Sequence, residues 1–254
     1  MTAVAAATVR ATPVRVMRAE WVKFGTLISN PLTMFVAFLV IAGFAVLLVW
    51  ARSTESMTPT MTEPLTGASW AQMLVAVLAA VFACTEWSSG MSRVTFLAAP
   101  TRWPVLIGKA VVMGVTAFIA GALGAVGALL AGTIGGVDVG GESGLAVRLV
   151  FGAGVYLAGI AILAVAIGVI VRNLVAGVLT VIGFIWVLPL AITLIPWELI
   201  QRVVPYLPSP AGGLLIAGEN PASELTPWGG GAVLVAWALV CLVVAAFVLR
   251  GRDV

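Results

Sequence analysis

Residues Leu145 to Ile195 read LAVRLVFGAGVYLAGIAILAVAIGVIVRNLVAGVLTVIGFIWVLPLAITLI, and Arg148 and Arg172 are the only charges in the run. A helix that crosses a bilayer needs about 20 mainly apolar residues. The run therefore predicts two spans, Leu145 to Val171 and Leu174 to Ile195. Arg172 and Asn173 alone separate them, so the two helices must form a tight antiparallel hairpin.

The same reading gives spans at Pro31 to Ala51, Ser69 to Thr85, Val105 to Ile134 and Trp228 to Leu249. Of the 254 residues, 62% are hydrophobic and 9% charged, with a mean hydropathy of +1.17. No water-soluble core of this size could bury so much apolar side chain. The fold class predicted is an all-α integral membrane protein, with six spans in a single domain over residues 1–254.

Charge orients it. With the N-terminus inside, the cytoplasmic segments hold ten cations against Glu20, Glu86 and Asp253, a balance of +7. The external segments hold Arg52, Arg148 and Arg202 against seven carboxylates, a balance of −4. That bias follows the positive-inside rule and places both termini in the cytoplasm. It also accounts for the calculated pI near 9.3 without a nucleic-acid partner. The N-terminal residues lack the pattern of a cleaved secretory signal and are expected to stay on the mature chain.

The chain has no histidine, which removes the commonest general base and metal ligand. Cys84 and Cys241 are far apart in or beside apolar runs and read as buried thiols. Neither an enzyme site nor a metal site is expected. The segment GALGAVGALLAGTIGG, Gly121 to Gly136, lets helix backbones approach closely, either within the chain or across a dimer.

Two amphipathic segments fall on the cytoplasmic side. In residues 13–29, Met17, Trp21, Phe24 and Ile28 form one apolar stripe, with Arg15, Arg18 and Lys23 off its centre. This pattern describes an interfacial helix among anionic headgroups, which either anchors the chain or also touches a partner. Residues 87–99 place Trp87, Met91, Val94 and Leu97 on one face, and Pro100 closes the segment. Glu86, at the end of an apolar run, either sits in interfacial water or pairs with Arg93, Arg102 or Lys109.

Arg18, Glu20, Trp21, Lys23 and Thr26 before the first span, with Glu86, Gly90, Leu97, Pro100, Arg102 and Lys109 after the second, resemble the type-2 ABC exporter permeases. The likeness is to the small six-span subunits of high-GC Gram-positive bacteria, in the cell membrane. It implies that residues 13–29 are a connecting helix carrying Arg18, Glu20, Trp21 and Lys23. It also implies that residues 87–99 are a coupling helix docking on an ATP-binding subunit. Glu86, Trp87, Gly90, Met91, Arg93, Val94, Leu97, Pro100, Arg102 and Lys109 are then the coupling residues. Met91 and Gly25 depart from relatives, many of which carry Thr and a basic residue there. No G-x-x-x-x-G-K-[ST] loop is present, so ATP and its magnesium belong to the partner. The resemblance further implies two ATP-binding subunits, a second permease copy or a related permease, and export by alternating access.

Residues 196–227 are proline-rich and predict two short helices, the second capped by Ser209 with Pro210 in its first turn. They form either a re-entrant pair, which the resemblance also implies, or an external cap. Tyr156, Phe184, Trp186 and the possible kink at Pro189 suggest an apolar substrate path, suited to a lipid-like, peptide or drug cargo, or else plain packing. The competing class is a secondary transporter that needs no ATPase; clear internal repeats or charged mid-span sites would favour it.

Overall fold

Six stretches of helix long and apolar enough to span a membrane are present, at Ser29–Thr54, Glu63–Ser88, Trp103–Ile134, Ser143–Val171, Leu174–Thr193 and Pro227–Gly251. They agree with the six spans expected from sequence to within a few residues at most ends. The structure is a computed structural model and describes residues 12–54, 60–88, 103–137, 141, 143–197, 201–217 and 225–251. Among these residues there are helices and turns but no strand.

A short helix, α1 (Pro13–Thr26), precedes α2 (Ser29–Thr54). Leu27 breaks the helix in an extended conformation, and buried Asn30 fixes the corner by donating from Nδ2 to Phe24 O at 3.2 Å. Pro31 sits in the first turn of α2, where its missing N–H costs nothing, rather than at the entry to the helix. A 3-10 turn, Glu63–Thr66, leads into α3 (Gly67–Ser88), and α4 (Trp103–Ile134) and α5 (Ser143–Val171) follow.

α5 is the hub, packing most extensively on α4 and also on α3 and α9, introduced below. Glycines make the contact with α4 close. A Cβ on Gly121 would meet Ala153 O at 2.5 Å, and one on Gly124 would meet the Ile41 side chain at 2.7 Å. The glycine face of α4 is thus used inside the chain, against α5 and α2.

The hairpin after α5 is as short as expected. Arg172 adopts the left-handed conformation at φ 57° and donates its N–H to Gly168 O at 2.9 Å, closing α5 with a single 5→1 bond. Asn173 then caps α6 (Leu174–Ile182), its side chain accepting from Ala176 N at 3.0 Å.

A π-helical turn, Gly183–Val187, joins α6 to α7 (Leu188–Thr193). Pro189 explains it: an interior proline lacks an N–H and its ring crowds the carbonyl four residues back, here Ile185. The local shift to i→i−5 bonding is seen in Leu188 N, which donates to Gly183 O. The irregularity expected at Pro189 lies in the turn before it.

Within residues 196–227, residues 198–200 and 218–224 lie outside the described residues. The remainder forms a 3-10 turn, Val204–Tyr206, and the short α8 (Pro208–Gly213). Ser209 does not cap this helix. Leu207 holds the cap position, while Ser209 Oγ donates to Gln72 Oε1 of α3 at 3.0 Å. α8 packs against α5 and α9 (Pro227–Gly251), with Gly212 against Tyr156 and Leu215 against Gly152.

The close approach of α4 and α5 gives a direct test. Gly121→Val should lower the thermal midpoint in detergent by an overpacking cost of at least about 1–3 kcal/mol. Gly43→Ala, where nothing lies within 4 Å of the added carbon, should leave it unchanged or slightly raised.

Candidate functional site

Lys109 is in the second turn of α4, and its side chain is 2% exposed. An ammonium so far from water demands anionic partners, because its desolvation alone costs several kcal/mol. Two carboxylates meet it. Lys109 Nζ donates to Glu20 Oε2 at 3.0 Å and to Glu86 Oε1 at 2.9 Å, from α1 and from the last turn of α3.

Lys23 closes the set. Its Nζ donates to Glu20 Oε1 at 2.7 Å and to Glu86 Oε1 at 2.6 Å. Glu20 and Lys23 are three residues apart on one face of α1, the spacing at which helical side chains meet. The quartet is formally neutral, and each member touches both charges of opposite sign, which makes its burial tolerable.

Neighbouring residues complete the setting. Lys109 Nζ lies 4.6 Å from the Phe82 ring centroid, a cation–π contact, and Phe82 meets Phe24 edge-on at 6.0 Å. Gly108 lets α1 come close, since a Cβ there would stand 3.2 Å from Glu20 Cγ. A cleft of about 400 Å3 opens over the quartet, reached from the side of Lys23, Thr26, Asn30, Thr85 and Ser88.

Burial works to lower the Lys23 pKa, but the hydrogen bonds and charges of Glu20 and Glu86 outweigh it. The ammonium is therefore held above its ordinary value of 10.5.

One residue after Glu86, Trp87 meets a second cation. The Arg172 guanidinium lies 5.6 Å from the Trp87 ring centroid, and its Nη2 donates to Val248 O near the end of α9 at 3.1 Å. That carbonyl belongs to the last turn of a helix, where no intrahelical donor remains. Arg172 thus joins the ends of α3, α5 and α9 through one side chain.

The sequence-expected residues divide accordingly. Glu20, Lys23, Glu86 and Lys109 converge, although Glu20 and Lys23 were assigned to the connecting segment and Glu86 and Lys109 to the coupling segment. Of the partners expected for Glu86, Lys109 is present; Lys23 is an addition. Gly90, Met91, Arg93, Val94, Leu97, Pro100 and Arg102 lie outside the described residues. Arg18 and Trp21 stay on the exposed side of α1, beside Met17 and Pro13 in an open apolar depression. The buried face of α1 is formed by Glu20 and Phe24 rather than by the whole apolar stripe, leaving Trp21 and Ile28 outward.

The four residues expected along a substrate path each turn to a different partner. Tyr156 is fully buried and packs its ring against Gly212 of α8. Phe184 packs edge-on against Trp237 at 5.4 Å, and Trp186 against Trp70 at 5.4 Å. Pro189 is buried behind the π turn. Asn30, Phe82 and the Arg172–Trp87 contact were not anticipated; the one advance signal was a lone Asn at a break between two helical patterns.

Among the described residues no group of His, Cys, Asp or Glu is arranged to hold a metal. Neither family models nor curated proteins show a match to this chain.

Lys109→Met leaves the buried carboxylates of Glu20 and Glu86 to share Lys23 alone, one negative charge in excess, and should cost about 3–5 kcal/mol of stability. Adding Glu20→Gln to Lys109→Met should recover part of that loss, read as a thermal midpoint in detergent. A raised pKa makes the Lys23 contribution complete below about pH 10.4, the unfolded value, and lost as pH rises through the higher folded value. The wild-type midpoint should therefore fall more steeply above that pH than the midpoint of Lys23→Met.

Proposed function

We propose that this chain is the membrane permease subunit of an ATP-binding cassette exporter of the type-2 kind. It works as a pair of permeases with two separate ATP-binding subunits. The observation that supports this reading most is the ion quartet. It fastens the amphipathic α1 to the two helices, α3 and α4, between which residues 89–102 leave and return. A cytoplasmic ATPase needs rigid ground around its docking loop, and a neutral network of four charges supplies it.

In this reading residues 87–99 dock on the partner, ATP and magnesium are bound there, and this chain is not itself catalytic. Closure of the nucleotide sites draws the two docking segments together, and release resets them. The α1 end of the bundle faces the cytoplasm, which the distribution of Lys and Arg supports. The cargo is hydrophobic, lipid-like, a peptide or a drug, consistent with apolar and aromatic interior surfaces. The short helices between residues 201 and 217 form the re-entrant element on the far side.

A secondary transporter gains nothing from the quartet. Its charges lie near helix ends rather than at mid-span, where ion-coupled sites are usually built from broken helices.

The reading is tested by purifying the tagged chain from its native membrane under mild detergent. A soluble ATPase with a phosphate-binding loop should copurify, and its turnover should respond to the permease. Replacing residues 87–97 by a flexible linker should release that ATPase while leaving the permease folded. If ATPase binding and stimulation persist with the linker, the docking assignment fails. If no such subunit is recovered under any condition, the exporter reading fails with it.

A further inference from the structure

Along their first halves α2 and α4 do not pack flush. A groove of about 410 Å3 runs between them, lined by Pro31, Met34, Phe35 and Phe38 on one wall and by Ile119 and Leu123 on the other. Phe24 of α1 also lines it, beneath the start of α2. We propose that this groove seats one acyl chain of an anionic phospholipid, with the headgroup held by Arg15 and Arg18 of α1. The proposal goes beyond the transport reading and does not depend on it.

The lining decides the chemistry of the occupant. It is carbon almost throughout, and the Thr116 hydroxyl donates back into its own helix, to Val112 O at 2.8 Å. A polar ligand would lose water there and gain no hydrogen bond. The groove also opens between two membrane-length helices, so a hydrocarbon chain reaches it from the bilayer without crossing water.

Charge identifies the headgroup. Exposed Arg15 and Arg18 belong to no ion pair among the described residues, and Glu20, the one acid on α1, is occupied by Lys23 and Lys109. Arg18 is six residues before Phe24, about 9 Å along the helix at 1.5 Å per residue. An anionic leaflet is favoured about fivefold for each cation near its surface, so two unpaired arginines on the helix whose Phe24 lines the slot select phosphate with a net negative charge.

The test is photolabelling of the full-length chain in phosphatidylcholine nanodiscs. The tracer is phosphatidylglycerol with a diazirine in its acyl chain, compared with phosphatidylcholine carrying the same chain, and the labelled residues are mapped by mass spectrometry. Labelling should concentrate in residues 31–38 and 116–123, with phosphatidylglycerol favoured at least about fivefold. Ala120→Phe, which fills the groove floor, should cut labelling several-fold. Leu123→Trp at the exposed rim should do the same if the first variant fails to fold. Arg15→Gln with Arg18→Gln should abolish the preference while the acyl chain still labels the groove. Equal labelling by the two lipids in the wild type overturns the proposal. So does labelling as strong on the exposed face of α9, at Val243 and Phe247, which marks ordinary solvating lipid. An unlabelled groove in which Phe35→Cys crosslinks two copies overturns it in favour of a second chain.

Discussion

One buried ammonium organises the α1 end of this protein. Lys109 sits in an apolar helix where water cannot solvate it, and the low-dielectric surroundings that penalise it alone reward it when paired. Two carboxylates must therefore be delivered to one point. The end of α3 delivers one, and the chain bends back before its first long helix to deliver the other. The position of α1 follows from this requirement, because Glu20 reaches Lys109 only if α1 lies across the first turns of α4. Gly108, the Asn30 corner and the Phe24–Phe82 contact then make that crossing close.

The opposite end is held by different means. There Ser209 of α8 donates to Gln72 of α3, and the buried Tyr156 of α5 packs its ring on Gly212 of α8. Small residues bring backbones together around these contacts: a Cβ on Gly230 would collide with Ala211 O. Apolar burial offers helices little drive to associate in lipid, so close contact and a few internal polar groups must supply cohesion. α5 runs between the two ends and is the most buried of the spans.

Much of this was legible in the sequence. Hydropathy marks six spans because a bilayer requires each to satisfy its own backbone, and hydropathy averaged over about 20 residues is a strong signal. The two-residue hairpin at Arg172 and Asn173 was equally plain, and its capping shows why two residues suffice. The candidate site was half legible. A place at the end of an apolar run pointed to Glu86, with Lys109 among three candidate partners, and the family resemblance drew in Glu20 and Lys23, yet nothing in their spacing said that all four meet. Glu20 and Lys109 are 89 positions apart, and only the crossing of α1 over α4 joins them. The apolar stripe on α1 was misleading in one respect. An amphipathic pattern ranks residues by hydropathy, whereas the face that packs on protein here is chosen by the ion that Glu20 must satisfy. Ser209 followed the same logic: a good local cap gave way to a tertiary partner, Gln72.

Two linkages at the α1 end bear on the proposed mechanism. α1, α3 and α4 are joined by four charge-assisted contacts of 2.6–3.0 Å among buried groups. Each charge in the network has two partners, so parting one pair weakens every remaining contact before any charge is left alone, and the four move together. Arg172 joins the same end of α3 to α5 and α9 through contacts that include the Trp87 ring and a hydrogen bond of 3.1 Å to a terminal carbonyl. A force applied to residues after Ser88 therefore moves α1, α3 and α4 as one body. α3 and α4 both pack closely on α5, with Gly121 against Ala153 and Gly168 against Ala80 and Ala83, so movement of that body is passed to α5 through packed backbone.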